Sequence, residues 1–173
     1  MGFFQVELTK NVRVHPRHFH SKLKETLIQT LMDEVEGTVS GRFGFVVSVL
    51  EVLQPLPKGI LREGFGFAIY PLKYKALVFR PFKGEVLDAV VTNVTRHGIF
   101  AQVGPLTIFV SRHQIPSDMT HDEETASYIS VVEKAERIQR DSAIRLRVNG
   151  IKIDASSFTA VGTILDDYLG LVE

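Results

Sequence analysis

The first 80 residues carry two different hydrophobic periodicities. From Phe3 to Val14 the even positions are mostly apolar, which predicts a β-strand, because successive side chains of a strand point to opposite faces. From Pro16 to Val35 apolar residues recur at every fourth position, which predicts a helix with one apolar stripe, and Gly37 is a suitable stop. The stripe comprises Phe19, Leu23, Leu27, Leu31 and Val35.

Three stretches rich in Val, Ile, Phe and Tyr follow the helix and are separated by Pro or Gly. They predict strands over residues 38–52, 59–70 and 72–82. The order β-α-β-β-β is typical of an α+β domain in which one helix packs against an antiparallel sheet. We therefore predict an N-terminal domain of this class over residues 1–80.

Strand-type stretches dominate the second half of the chain. Residues 116–127 are acidic and lack apolar periodicity, so they predict a surface loop. Short antiparallel strands this close together indicate an all-β barrel such as an OB-fold over residues 81–173. The predicted strands are residues 84–95, 98–103, 106–111, 128–132, 144–148, 151–153 and 158–164.

The segment from Arg96 to His113 is the most informative part of the sequence, because it predicts a hairpin with two unlike faces. Alternation along the two strands places six apolar residues on one face. Phe100 and Phe109 then lie on the opposite face, among polar residues. The apolar set is Ile99, Ala101, Val103, Leu106, Ile108 and Val110.

A two-residue turn at Gly104-Pro105 would pair Phe100 with Phe109 and place His97 opposite Arg112. No acidic residue lies in or next to this hairpin. An aromatic pair edged by cations is typical of a platform for single-stranded nucleic acid, where bases stack on rings and cations contact phosphates. The predicted nucleic-acid-binding residues are Arg96, His97, Phe100, Phe109, Arg112 and His113.

The pattern alone leaves two alternative roles open for the aromatic face. Exposed apolar patches often mark protein interfaces, so the face could bind a partner protein. Cross-strand aromatic pairs also stabilise sheets, so the face could be covered by another part of the chain.

Composition narrows the chemistry. The chain has no Cys, which excludes disulfides, thiolate nucleophiles and Cys-ligated zinc. Its net charge is zero, with +4 on residues 1–80 and −4 on residues 81–173, and this argues against strong non-specific nucleic-acid binding. The longest apolar runs are far shorter than the roughly 20 residues that span a bilayer, so we expect no membrane partner.

No spacing in the sequence predicts a catalytic residue, a metal site or a cofactor. His18 and His20 alternate near a helix start, so they do not share one helical face, and no third ligand is evident. The string Gly64-Phe-Gly-Phe lacks the Lys-Ser/Thr ending of a phosphate-binding loop. We expect a protein that binds other molecules without transforming them.

Longer strings resemble a known family. Residues 82–91, together with His97-Gly-Ile-Phe100 and Phe109-Val-Ser111, resemble the S1-type OB-fold RNA-binding module first known from a ribosomal protein. Residues 34–45, 70–86 and 166–172 closely resemble the seventh subunit of eukaryotic RNA polymerase II, a family that also has an archaeal polymerase counterpart. The resemblance covers essentially the whole chain.

The resemblance implies a truncated ribonucleoprotein-like tip domain followed by an OB barrel, in a non-catalytic nuclear subunit. It implies a heterodimer with the fourth polymerase subunit, forming a stalk that docks near the clamp of the core, supports initiation and receives nascent RNA. Modules of this type often have Phe where His97 stands and His where Phe109 stands. The loop that touches the polymerase core carries over to Gly41, Arg42, Phe43, Gly44 and Phe45.

Two further functions remain open from the sequence. The chain could be the stalk subunit of another nuclear polymerase, which would be shown by the largest subunit that co-purifies with it. It could also be a free OB-fold RNA-binding factor, which predicts tight RNA affinity without any partner. A nuclease is disfavoured because no acidic metal cluster is present.

Overall fold

The computed structural model describes residues 2–18, 22–40, 43–54, 56–61, 66–132, 136–153 and 158–172. The chain divides into two compact units, residues 2–80 and residues 81–173.

The N-terminal unit is one antiparallel sheet with a single α-helix among its described residues. The strand order is β1-β5-β3-β2, and β4 pairs separately with β5. The elements are β1 (Phe3–Val14), a 3-10 turn (Pro16–His18), α1 (Leu23–Val35), β2 (Val39–Ser40), β3 (Gly44–Val52), β4 (Ile60–Leu61) and β5 (Ala68–Phe79).

The apolar stripe of α1 packs on the sheet, as its fourfold spacing predicts. Leu27, Leu31 and Val35 are buried in one cluster with apolar residues of β1, β3 and β5. The helix begins later than predicted, since Pro16–His18 form a 3-10 turn and Phe19 lies outside the described residues.

The prediction of two strands on either side of Pro71 was wrong, because β5 runs through this residue. Pro71 pairs with Asn11 of β1 on one edge. On the other edge β3 reaches only as far as Tyr74 and β4 only as far as Ile69. The Lys73 carbonyl faces that second edge, where it accepts from the Leu53 amide, and Pro71 presents its nitrogen to the same edge. The missing amide hydrogen therefore falls in a gap between two ladders, where Pro is tolerated.

The C-terminal unit is a closed five-stranded barrel with a short sixth strand attached. The order is β13-β8-β7-β6-β12-β14, and a β12–β13 ladder closes the barrel. The barrel strands are β6 (Val86–Thr95), β7 (Gly98–Val103), β8 (Leu106–Ser111), β12 (Ala143–Ile153), β13 (Phe158–Thr163) and β14 (Gly170–Leu171). The predicted fold class, α+β followed by an all-β barrel, is confirmed.

The prediction of a loop over residues 116–127 was wrong in part. Strands β9 (Met119–Asp122), β10 (Ser127–Ser130) and β11 (Arg137–Ile138) form a separate three-stranded antiparallel sheet. This sheet is held to the barrel by buried Tyr128, whose hydroxyl donates to the Thr95 carbonyl at 2.9 Å. Such a tertiary contact leaves no periodic signal in a short polar strand.

The predicted strands 144–148 and 151–153 are one strand, β12. Its ladder with β13 has an irregularity between Val148 and Gly150, where the register shifts. The break in apolar alternation at that point reflects a bulge within one strand.

Candidate nucleic-acid interface

The hairpin formed by β7 and β8 has the register that the sequence predicts. Phe100 pairs with Phe109, and Val103 pairs with Leu106 on either side of the turn. Beyond the ladder, the Arg112 amide donates to the His97 carbonyl at 2.9 Å. The predicted pairing is therefore confirmed over the whole hairpin.

The two faces of the hairpin differ as predicted. The inner residues Ile99, Ala101, Leu106, Ile108 and Val110 are all fully buried. On the outer face Phe100 is 36% exposed and Phe109 is half-buried. The two rings lie 4.9 Å apart at an angle of 41°. The chain itself leaves this aromatic pair accessible, so the structure disfavours a role in which other residues of the chain cover it.

Gly98 sets the position of the Phe109 ring. It has a φ of +154°, and a Cβ at this position would collide with the Val110 carbonyl and lie 2.9 Å from Cε2 of Phe109. Only glycine fits such a close approach of ring and backbone. The ring of Phe109 consequently lies across the strand at Gly98.

Four cationic or ring-bearing residues stand at the open end of the hairpin. All four residues are exposed, and within the described ranges none of them forms an ion pair. They are Arg96, His97, Arg112 and His113. They are thus available to phosphate groups.

The turn that carries Arg96 and His97 is held by Thr95. The Thr95 hydroxyl donates to the Gly98 carbonyl and accepts from the His97 amide, both at 3.2 Å. Its carbonyl accepts from Tyr128. Burial raises the pKa of the Tyr128 hydroxyl, and the positive charge of Arg112 acts in the opposite direction.

The structure adds residues that the sequence did not predict for this face. Strand β13 runs parallel to β8 and places Val161, which is 50% exposed, beside Phe109. A depression of about 410 Å³ adjoins this point and is lined by Phe109, Lys152, Thr159 and Val161 among others. A pairing between strands so far apart in sequence leaves no local pattern from which it could be predicted. The outward position of Val161 in an alternating strand is only a weak indication of it.

The predicted core-contacting loop is described only in part. Gly41 and Arg42 lie outside the described residues. Phe43 and Phe45 are half-buried, and Phe45 pairs with Phe79 across the sheet. Gly44 is buried at a φ of +100°, and a Cβ there would lie 2.5 Å from the Phe79 carbonyl oxygen. The Phe43 amide donates to the Ser40 carbonyl at 3.0 Å at the end of the β2–β3 hairpin, and the contact of residues 41–45 with a partner stays a prediction.

The part of the chain that the structure describes holds no group of three or more His, Asp or Glu side chains arranged to bind a metal. Within the same ranges no helix combines the length and the apolar character needed to cross a bilayer.

Two family models match the chain, one for each unit. Residues 9–64 match the SHS2 domain found in the N terminus of Rpb7p/Rpc25p/MJ0397. Residues 80–158 match the S1 RNA binding domain, which includes the whole β7–β8 hairpin. The fold and the site thus define a two-domain protein with an S1 RNA-binding barrel.

Curated relatives extend this match over nearly the whole chain. The chain is 45% identical over 170 residues to DNA-directed RNA polymerase II subunit RPB7 of Glycine max, covering 98% of this chain and 96% of that one. It is 44% identical over 171 residues to the corresponding rpb7 subunit of Dictyostelium discoideum, covering 98% and 99%. It is 29% identical over 175 residues to DNA-directed RNA polymerase V subunit 7 of Arabidopsis thaliana, covering 97% of each. The chain belongs to the family of RNA polymerase II subunit 7, RPB7, which confirms the resemblance seen in the sequence.

Proposed function

We propose that the chain is a non-catalytic stalk subunit of DNA-directed RNA polymerase II in the nucleus. It pairs with the fourth polymerase subunit, docks on the core near the clamp and supports initiation. Its barrel contacts nascent single-stranded RNA through Phe100 and Phe109, with Arg96, His97, Arg112 and His113 close to the phosphates. The higher identity to subunits named for polymerase II, compared with the polymerase V subunit, favours polymerase II.

The observation that carries the RNA proposal is the accessible aromatic pair within the segment that matches an S1 RNA binding domain. The rings are presented outward from a closed barrel, and no acidic side chain stands in the hairpin to repel a phosphate backbone. Stacking on an aromatic ring contributes about 1–3 kcal/mol per base. Since residues 81–173 carry a net charge of −4, this contact is weak and auxiliary, and tethering to the transcribing enzyme raises its effective concentration.

The double variant Phe100→Ala with Phe109→Ala tests the platform. We expect its affinity for a single-stranded RNA oligonucleotide to fall at least about tenfold, because the stacking surface is lost. Co-purification with the fourth subunit should be unchanged. Phe82→Ala is a matched control, since Phe82 is another exposed phenylalanine of the barrel unit. Wild-type RNA affinity in the double variant would refute the platform.

The partners are tested by purifying the tagged chain from native extract and identifying its companions by mass spectrometry. We expect the fourth subunit and the core subunits of polymerase II. The largest subunit of another polymerase would reassign the chain to that enzyme, and an absence of all polymerase subunits would favour a free RNA-binding factor.

We also propose that Phe43, together with Gly44 and Phe45 and with Gly41 and Arg42 beside them, contacts the polymerase core. Phe43→Ser is the sharper variant, because Phe45 packs within the sheet and its loss would also destabilise the unit. We expect weaker recruitment to the core by a variant that still folds, as checked by circular dichroism. Normal recruitment of the folded variant would remove this assignment.

A further inference from the structure

A second row of side chains runs beside the aromatic row on the outward face of the barrel. The ladders pair Gln102 with Thr107, and Thr107 with Thr159 of β13. The aromatic row is Phe100, Phe109 and Val161 on the same three strands. Each residue of the polar row therefore lies two positions along its strand from a residue of the aromatic row, on the same face.

The side chains of the polar row are free to bind. Gln102 and Thr159 are exposed, and Thr107 is half-buried. In the described part of the chain no hydrogen bond occupies the Gln102 amide or either threonine hydroxyl. The neighbouring Thr92 differs, since its hydroxyl already donates to the Phe100 carbonyl at 3.2 Å.

The aromatic row has different neighbours on its two sides. Two residues along a strand span roughly 7 Å, so the neutral polar row lies about that far from the rings. On the other side come the Gly98–Ser111 pair and then His97 and Arg112. The turn that carries Arg96, His97 and Arg112 thus lies beyond the rings on one side, and neutral donors and acceptors flank them on the other.

This asymmetry matches the asymmetry of a nucleotide. In a base stacked on a ring, the sugar and phosphate leave from one side, and the Watson–Crick edge points to the opposite side. We propose that Gln102, assisted by Thr107 and Thr159, hydrogen-bonds the Watson–Crick edges of bases stacked on Phe100 and Phe109. This inference rests on the proposed RNA platform.

The chemistry of Gln102 predicts what this row recognises. A primary amide offers a donor beside an acceptor, and a hydroxyl can serve as either. Each of the four RNA bases carries an adjacent donor and acceptor on its Watson–Crick edge, so the amide can satisfy any of them by rotating. The row consequently detects that a base is unpaired, with little preference for its identity, and paired RNA is excluded because its edges are occupied.

The test compares an oligouridylate with an oligomer of N3-methyluridine of equal length, by fluorescence anisotropy on the full chain. Methylation at N3 removes the N–H donor from the Watson–Crick edge of uracil and leaves the face of the ring available for stacking. We expect wild-type protein to bind the methylated oligomer about three- to tenfold more weakly, the range of one or two hydrogen bonds. Gln102→Ala should bind both oligomers equally. Gln139→Ala, an exposed glutamine outside the row, should behave as wild type.

Three outcomes separate this inference from the platform itself. Phe100→Ala should weaken both oligomers by a similar factor and keep their ratio, which supports both proposals. Equal wild-type affinity for the two oligomers, or a methylation penalty that persists in Gln102→Ala, overturns the edge contact and leaves the platform standing. Undetectable RNA binding by the wild-type chain, or an unaffected Phe100→Ala variant, overturns both.

Discussion

Single residues decide whether the aromatic face can exist. Gly98 allows the Phe109 ring to approach the backbone, and Thr95 fixes the turn that presents Arg96 and His97. The sequence predicted both phenylalanines and their pairing, because alternation and turn length are local properties. The sequence did not predict the need for glycine at position 98, since this need comes from the Phe109 ring of the neighbouring strand β8.

Gly98→Ala tests the close approach of ring and backbone. The added Cβ would meet the Val110 carbonyl and the Phe109 ring at a φ of +154°. We expect a loss of about 1–3 kcal/mol in the free energy of unfolding, from strain and overpacking. Urea denaturation measures it. Gly84→Ala is the control, since a Cβ at Gly84 would meet nothing within 4 Å although its φ is also positive, and it should cost less.

The exposed pair of Asp88 and Arg145 gives a pH-dependent prediction. A hydrogen bond from Arg145, at 2.8 Å, lowers the pKa of Asp88 below its ordinary value of 3.8. The stabilisation of the folded state by this pair is therefore fully present above about pH 3.8. It is lost as the pH falls through the lower pKa that Asp88 has in the folded state. Both side chains are about half exposed, so the effect is small.

Asp88→Asn should lower the urea midpoint slightly at pH 7. The difference in urea midpoint between the variant and wild type should disappear as the pH falls below the pKa of Asp88 in the folded state. A difference that persisted unchanged in acid would show that the carboxylate charge does not stabilise the fold.

At the scale of elements, the sequence predicted those defined by local periodicity and missed those defined by tertiary contact. Strands β1, β7 and β8 have the predicted bounds, because their alternation is regular. Pro71 predicts a strand end, whereas β5 continues through it, in a gap between the ladders of β3 and β4. The three-stranded sheet of β9 to β11 was missed, because its strands are short, polar and anchored by Tyr128.

Tyr128→Phe tests the anchor between this small sheet and the β6–β7 turn. The change leaves the ring in place and removes the donor to the Thr95 carbonyl, which should cost about 1–2 kcal/mol. We expect faster amide hydrogen exchange over residues 95–98 and over 127–130. Tyr168→Phe, at a residue that is 95% exposed, should leave exchange unchanged. Unchanged exchange in Tyr128→Phe would show that the hydroxyl does not hold the turn.

At the scale of the whole molecule, the resemblance in the sequence identified the family and the order of its two folds. The proposed RNA contact should depend only weakly on charge, because the two halves of the chain carry opposite net charges and the cations at the platform are few. The hairpin provides Arg96 and Arg112, and the depression beside Phe109 adds Lys152. The sequence could not supply Lys152 because β12 and β13 reach the site only through barrel closure.

A weak salt dependence should follow from this small number of cations. With three phosphate contacts, the slope of log affinity against log salt concentration for single-stranded RNA should be about −2. Titrations between low and moderate salt measure it. A slope of about −5 or steeper would mean that a larger basic surface dominates binding. Lys152→Gln should reduce the slope by somewhat less than one unit.

The parallel ladder between β8 and β13 joins segments about fifty residues apart, so closing it costs more loop entropy than closing the β7–β8 hairpin. Before β13 joins β8, a meander of β6, β7 and β8 would have Phe100 and Phe109 on one face and an uncovered apolar layer on the other. A chain stopped at that stage would expose apolar surface on both faces, and we expect it to aggregate more readily than the closed barrel. Barrel closure buries the inner layer, so that of the two faces of the β7–β8 hairpin only the aromatic one stays accessible.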